Sequence, residues 1–517
     1  MKKRILALLL SLLMALSCAG IALAEDASIY PLVDEPITIT ALTTKDLAAT
    51  SGSFATYDML AELTGIKLEF ISIEAEQLPV FLAAGQWPDL IVNILTNAQV
   101  NDYGVLGHKL VNFMDYLEYM PHMAKTMEEY PLIKNAMIQA DGGMYQLFRV
   151  DKVATSCTAR VHFREDILTA AGQKVPTTID EFYNVLKAVY EYTGYSPMAE
   201  LNRYNMLLLF PSFGKYVHYD FDDNGDGSLA FVRTTDQYRR FLAFLNKLYE
   251  EKLLHPEYLT LDSATRKAKV LGGETVFGHT SFSALTNSHF SDGQYHLGTL
   301  SPLASEWNAN PKVHNDNMLP GSIGWGVNAA SPYVKEICQY LDIAYATEEV
   351  APDTGLYSAA FWYGPENVSW KWVNDEHTEY DYILPADFTG SSTTYINQYM
   401  RLENVGRNDA WAGAICAGDS NTHYRQLGFV QNVLPYTADI IVPVGLMVFA
   451  EDEQAVLDDK YVTITTYVNE MQSKFIAGVE DIDDDAVWTK YCETIEGMGA
   501  EDVLEVYQAA YDRWNGK

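Results

Sequence analysis

Positive charge is scarce in this chain: 35 Lys and Arg stand against 69 Asp and Glu, a formal net charge of −34 over 517 residues. That field repels phosphate backbones and anionic headgroups, so nucleic acid and a lipid surface are excluded as main partners. A polyanionic substrate is disfavoured too, unless a cleft carries cations of its own. Cysteine is scarcer still. Cys18, Cys157, Cys338, Cys416 and Cys492 lie far apart, make no C-x-x-C and no zinc spacing, and form no disulfide framework. The four after the N-terminal leader allow three pairings, and none is favoured. Past residue 24 no apolar run approaches the ~18 residues of a membrane span; Ile440 to Ala450 is too short and contains Pro443. Also missing are H-E-x-x-H, a Gly-rich loop ending in G-K-[ST], G-x-S-x-G and G-x-G-x-x-G.

What is present begins with an export signal over residues 1–24: Lys2, Lys3 and Arg4, an apolar run from Ile5 to Leu16, then small residues. Ala22-Leu23-Ala24 is a cleavage site that would release a soluble protein. Leu16-Ser17-Cys18 is an imperfect lipoprotein box whose cysteine would carry lipid, and both readings stay open. At 48% hydrophobic residues the remainder is long enough to bury more than one core.

Ile37 to Leu42 alternates as a strand, Phe54 to Leu63 has helical spacing closed by Gly65, and Ile66 to Ile73 alternates again. Gln77 to Ala84 predicts a helix stopped by Gly85, and Leu90-Ile91-Val92 a strand buried on both faces. This order implies a parallel sheet covered by helices. After the turn Asp141-Gly142-Gly143, Met144 to Val150 and Thr158 to Phe163 read as strands carrying the chain into a second lobe. Helices are predicted over Thr178 to Tyr192, with Thr178 to Glu181 as a capping box, over Asp236 to Glu251, and over Ser331 to Ala346, with Ser331 as N-cap and Pro332 first. Residues 374 to 425 are polar and weakly periodic, which predicts loop-rich surface. Lys460 to Trp514 reads as helices separated by acidic turns.

Candidate chemistry is thin. Ala414 to Gly418 surrounds Cys416 like a nucleophile elbow without its first glycine, and a small buried cysteine explains it better. With 69 carboxylates, a hydrolytic pair cannot be singled out. Asp220 to Ser228 has oxygen ligands at alternate positions, as a calcium loop does. Position twelve is Phe231 or Arg233 in the two possible registers, so a hairpin between Tyr216 to Phe221 and Ser228 to Val232 is the reading adopted. Aromatic residues are the more informative feature: 34 Tyr, 21 Phe and 9 Trp. A flat apolar face beside a polar handle suits a sugar ring. Tyr145, Tyr204, Trp307, Trp325, Trp362, Tyr363, Trp370, Trp372 and Trp411 fall where strand ends or loops are expected, although core packing accounts for any one of them.

In order along the chain, Gly85-Gln86-Trp87-Pro88-Asp89-Leu90, Asp141-Gly142-Gly143-Met144-Tyr145, and Arg164-Glu165-Asp166-Ile167-Leu168 followed by Gly172 and Val175-Pro176-Thr177-Thr178-Ile179-Asp180-Glu181-Phe182 form one pattern. Gly326-Val327-Asn328-Ala329-Ala330-Ser331-Pro332 and the tail segments Tyr467 to Met471, Phe475 to Gly478, Trp488 and Ala510 to Arg513 continue it. The pattern resembles the family 1 extracellular solute-binding proteins of sugar ABC importers, in the long lipoprotein-type branch of Firmicutes. Phe148 stands where that family often has proline. Tyr192 to Pro197 stands where branch members often carry a calcium loop, so no metal site is expected.

The resemblance implies an α/β protein of the two-lobed periplasmic-binding type (class II), each lobe a mainly parallel sheet flanked by helices, with extra helices at the C-terminus. The expected boundaries are 25–145 with 298–348 for the first lobe and 146–297 with 349–517 for the second. Solute would bind between the lobes at the C-terminal ends of parallel strands. Carried over by position, Asn93, Thr96, Asn97 and Tyr145 would act from the first lobe. Tyr204, His279, Thr280 and Ser281 would act from the second, with Trp362 and Tyr363 as stacking platforms and Trp325 near a hinge strand. The implied function is capture of a sugar or oligosaccharide and delivery to ABC permease subunits, without catalysis, cofactor or metal. The protein would be an extracellular monomer, attached to the membrane only through lipid on Cys18. A secreted polysaccharide-active enzyme and a receptor feeding a sensor kinase are the alternatives.

Overall fold

The computed structural model describes residues 29–50, 52–139, 141–151, 159–285, 287–290, 295–314, 324–389, 391–409, 411, 413–438 and 442–517. The expected export signal, Cys18 and Cys157 lie outside the described residues.

The first sheet is built as the alternation predicts. Strand β1 (Ile37–Thr43) pairs in parallel with β2 (Ile66–Ser72) along its whole length, Ile37 opposite Ile66 and Thr43 opposite Ser72. It also pairs in parallel with β3 (Leu90–Val92), whose three residues are all buried. The helix Ala55–Thr64 makes the crossover and ends at Gly65 in the left-handed conformation (φ 77°). Trp325–Val327 then adds to β3 in the antiparallel sense, because the chain returns to this sheet from the other lobe.

A second hydrophobic core forms around residues 159–313 and 429–511. Its three-stranded sheet has His162–Arg164 in the middle, antiparallel to both Phe277–Gly278 and Leu297–Thr299. Isolated bridges from Met198 to Leu254 and Phe277 are parallel. The C-terminal helices Val462–Ile476, Asp485–Gly497 and Ala500–Trp514 contribute buried residues to the same core, as the tail periodicity predicts.

The packing divides the chain differently from the expected boundaries. Leu297 to Val313 belongs with the second core, since Leu297–Thr299 pairs with the His162 strand. Leu356, Phe361, Trp362, Leu402 and Val405 belong with the first. Arg149–Asp151 pairs in parallel with Gly406–Asn408. Gly406 has φ 76°, and a Cβ there would overlap the carbonyl of Ala344, so this approach of the chain requires glycine.

Three local readings are corrected. The helix expected from Ser331 starts at Val334; the Ser331 hydroxyl instead donates to Asp89 (2.7 Å), tying the return segment to β3. The Thr178 hydroxyl does accept the Glu181 N–H, but the Glu181 carboxylate binds Thr177 and so leaves the box open. Residues 374–425, expected as loop-rich surface, include the strands Glu379–Tyr382 and Ile415–Cys416, which join the preceding Trp370–Trp372 in one sheet, with Tyr380, Trp411 and Cys416 buried.

The Asp220 to Ser228 segment is a hairpin of Phe221–Asp223 and Leu229–Phe231. Its carboxylates are occupied within the protein: Asp220 pairs with Arg233 (2.7 Å), Asp222 accepts the His218 N–H (2.9 Å) and Asp223 accepts the Tyr511 hydroxyl (3.0 Å). Among the described residues no group of three or more His, Cys, Asp or Glu is placed to hold a metal ion. The described cysteines Cys338, Cys416 and Cys492 are free thiols. No helix among the described residues is long and apolar enough to cross a membrane.

Asp342 shows how burial tunes stability in the first core. Its carboxylate accepts N–H bonds from His122 and Met123 at the start of the helix Pro121–Glu129, yet burial pushes its pKa up to about 7. A folded pKa above the unfolded value of 3.8 means that the native state holds the proton longer, so this group lowers stability as pH rises from about 4 to about 7. The stability of Asp342→Asn relative to wild type, followed by urea unfolding, should therefore increase over that interval and level off above it.

Candidate functional site

The helix Ser420–Asn432 lies between the second core, which takes its Phe429, and the small sheet that holds Tyr380 and Cys416. Asn421, Arg425, Gly428 and Asn432 recur at spacings of four, three and four, which places them on one stripe of the helix, with His423 and Gln426 on the opposite side. The first stripe meets the second core: Asn421 Nδ2 donates to Phe282 O (2.8 Å) and Asn432 Nδ2 to Thr299 O (3.0 Å). Gly428 lies so close to Thr299 that a Cβ would overlap its side chain. The opposite side meets the small sheet. His423 Nδ1 bonds Cys416 O (2.8 Å), Gln426 Nε2 donates to the Tyr380 hydroxyl (2.9 Å), and Gln426 Oε1 accepts the Cys416 N–H (2.8 Å).

On the first-core side, polar groups gather just beyond the C-terminal ends of β1 and β3. Lys45 Nζ donates to Leu402 O (2.6 Å) and Arg401 O (3.1 Å). Burial pulls the Lys45 pKa down to about 8, against the upward pull of Glu403; Arg401 lowers it further. Asn93, with φ 49°, donates its Nδ2 to Asn404 O (3.4 Å). Arg401 Nε donates to Trp362 O (2.5 Å). Beside them Trp411 is sandwiched between Tyr363 (3.4 Å, 11°) and Tyr380 (3.5 Å, 18°). Two near-parallel rings at that separation must lie on opposite faces, so Trp411 offers no face to a solute. Tyr363, half-buried at the end of the stack, has a second face.

On the second-core side, the buried Glu200 carboxylate accepts the His279 N–H and the Thr280 hydroxyl (2.6 Å), which holds the loop 279–281 in place. The His279 ring lies 4.2 Å from Tyr204 and 5.1 Å from His162. Burial pushes the His279 pKa down to about 2, with Arg425 and Arg160 adding to it. His162 is pushed down by the same causes, burial first. Neutral His162 accepts Arg425 Nε at its Nε2 (3.4 Å), so its Nδ1–H donates to the Thr299 hydroxyl (2.8 Å).

Several buried polar atoms on these two sides have no protein partner: Asn93 Oδ1, Trp362 Nε1, Asn404 Oδ1 and Trp411 Nε1 on the first, His279 Nδ1 and Ser281 Oγ on the second. Unpaired buried donors and acceptors are costly, and these six, close to strand ends of the two lobes, are groups that water or a ligand can satisfy.

Of the residues expected from sequence, Asn93, Trp362 and Tyr363 belong to the first side, and Tyr204, His279 and Ser281 to the second. Thr96 and Asn97 are exposed at the start of the helix Asn97–Val100, with the Thr96 hydroxyl capping it through Gln99 N–H. The Thr280 hydroxyl is used by Glu200. Tyr145 is a packing residue: it is 5% exposed, bonds Asp141 through its hydroxyl (2.7 Å) and fills the space beside Gly104 and Gly143. Trp325 is fully buried in the first core. Lys45, Arg401 and Arg425 were missed; the only signal for Arg425 is its four-residue spacing from Asn421 within a segment that lacks apolar periodicity. A separate shallow cavity of about 220 Å³ by Tyr195, Lys252 and His255 lies on the second core, where the branch calcium loop was expected to be missing.

Trp325→Ala should lower the unfolding free energy by about 3–5 kcal/mol, because it removes a core indole. A loss below about 1 kcal/mol in denaturant titration would mean that Trp325 is not core.

No protein-family model matches the chain. The fructooligosaccharide ABC transporter substrate-binding protein FusA of Streptococcus pneumoniae is 20% identical over 483 residues, covering 88% of this chain and 86% of that protein. The lipoprotein LipO of Bacillus subtilis is 24% identical over 218 residues, 38% of this chain and 40% of LipO. Among solved structures, FusA in complex with kestose superposes with a TM-score of 0.71 at 16% identity, covering 93% of this chain and all of that one. A solute-binding protein from Bifidobacterium longum infantis, described as HMO-binding and ABC-transporter associated, gives 0.70 at 16% identity, covering 93% of this chain and 99% of that one. The chain has the two-lobed α/β fold of the solute-binding proteins, and its homologues include the substrate-binding proteins of carbohydrate ABC transporters.

Proposed function

We propose that this chain is the extracellular solute-binding component of a carbohydrate ABC transporter, holding a sugar or oligosaccharide between its two lobes and passing it unaltered to the permease. The observation that carries this reading is the set of unpartnered buried polar atoms on Asn93, Trp362 and Asn404 of one lobe and on His279 and Ser281 of the other, with the half-buried ring of Tyr363 on the first. Amides, an imidazole and a hydroxyl satisfy the rim of hydroxyls on a sugar, and an aromatic face covers its C–H surface. The similarity to FusA over nearly the whole chain supports the same reading.

In this reading the first lobe comprises 29–151 with 324–416 and the second 159–314 with 420–517. Asn93, Trp362 and Tyr363 bind from the first lobe, and Tyr204, His279 and Ser281 from the second. Thr96 and Asn97 stand at the rim. Rotation of one lobe against the other at the three crossings closes the site and presents both lobes to the permease. The protein works outside the cell as a monomer, released after Ala24 or held by lipid on Cys18. It performs no chemistry on the solute and requires no cofactor or metal.

A thermal-shift and calorimetric panel of mono- and oligosaccharides tests this. A ligand present at a hundred times its dissociation constant should stabilise the protein by about 2.7 kcal/mol. Tyr363→Ala should then cost about 2 kcal/mol of binding free energy. Absence of any saccharide response would overturn the reading.

A further inference from the structure

Arg401 and Arg425 differ from the arginines of this protein that hold an acid. Arg164, Arg233 and Arg513 each hold a carboxylate at 2.5 to 2.7 Å, and Arg407 binds both Glu129 and Asp409. Arg401 and Arg425 make one hydrogen bond each, through Nε, to a carbonyl oxygen and to an imidazole nitrogen. Among the described residues neither has an ion pair, although both are at most half exposed. The nearby acids do not complete them. Glu200 is bound by His279 and Thr280, Asp419 caps the helix Ser420–Asn432 through Thr422 N–H (3.0 Å), and among the described residues Glu403 forms no ion pair with Arg401.

Burial lowers the pKa of both arginines, and the pull of Glu403 on Arg401 and of Asp419 on Arg425 does not reverse it. Lys45, with its pKa down to about 8, adds a third cation beside Arg401. Each of these groups lacks part of the negative charge that would normally accompany it. Among the described residues each guanidinium keeps its two terminal NH2 groups without a protein acceptor, the half of the fork that meets a planar carboxylate.

We propose that the saccharide taken by this site is acidic, an oligosaccharide of uronic acid residues whose carboxylates pair with Arg401 and Arg425. The inference rests on the sugar-binding reading above and adds the charge of the substrate. The anion supplies the missing counter-charge in a desolvated place, where a charge-assisted pair is strong, while the rings and amides hold the neutral part of each residue.

The test is calorimetry on the full chain with galacturonate and glucuronate oligosaccharides of two to four residues, each beside the neutral galactose or glucose oligomer of the same linkage. At least one acidic oligomer should bind about tenfold or more tightly than its neutral counterpart. Its affinity should fall between about 50 and 300 mM NaCl. Arg401→Gln and Arg425→Gln should each reduce the acidic-to-neutral affinity ratio about fivefold or more, and Arg425→Lys should retain part of it. Should the glutamine variants fail to fold, the ratio and salt dependence of the wild-type protein decide. Neutral oligomers binding as tightly as the acidic ones would overturn the acidic assignment and leave sugar binding standing. Binding of neither set would overturn both.

Discussion

Residues 420–432 form one helix that the second core and the small aromatic sheet around Trp411 have to share. A helix has a single circumference, so its two sides cannot both be apolar without leaving the polar ends of the neighbouring sheets unpaired. Here the conflict is resolved with amides: Asn421 and Asn432 bond carbonyls of the second core, and Gln426 bonds Cys416 and Tyr380 on the other side. Gly428 allows the helix to lie directly on Thr299. Once that helix is seated, Arg425 stands beside His162, and His162 must remain neutral with its proton on Nδ1. The polarity around Arg425 and His162 thus follows from how the helix is seated between the second core and the small sheet.

The first lobe was readable because its signals are local. Alternation at Ile37 to Leu42 and Ile66 to Ile73, the glycine stop at Gly65 and the buried run Leu90 to Val92 correspond to elements whose stabilising contacts are set by period two or 3.6. Residues 374 to 425 had no such period. Their core consists of stacked rings, with Trp411 between Tyr363 and Tyr380, and partners drawn from three distant segments leave no repeat in any one of them. Polar composition then suggests surface where there is a buried wall. The same limitation misplaced the helix at Ser331: Asp89 takes its hydroxyl, and a residue 242 positions away cannot be read from a local cap rule.

Site residues divide along the same line. Positions fixed by a strand end, such as Asn93 after β3 and His279 after Phe277–Gly278, fell among the unpartnered polar groups of the two lobes. Aromatic positions near a crossing divide: Tyr145 and Trp325 pack inward, whereas Tyr363 stays half-buried, because a large ring next to a strand end is as useful to the core as to a solute. The cations Lys45, Arg401 and Arg425 were out of reach. Their significance lies in lacking an acidic partner, and whether one is present is a fact of three-dimensional neighbourhood.

The whole-chain charge of −34 opposes an acidic substrate, yet net charge and contact charge act at different distances. Net charge acts through solvent, where it is screened over about 8 Å at physiological ionic strength, so it chiefly slows the encounter with an anion. Arg401 and Arg425 act at contact in a partly desolvated place, where a given pair of charges interacts several-fold more strongly than in water. A slow encounter reduces the association rate, whereas a strong contact reduces dissociation, and differences in affinity reside mostly in the second. An acidic surface around a cationic interior therefore tolerates an anionic guest, provided that the guest can pair with both guanidinium groups once inside.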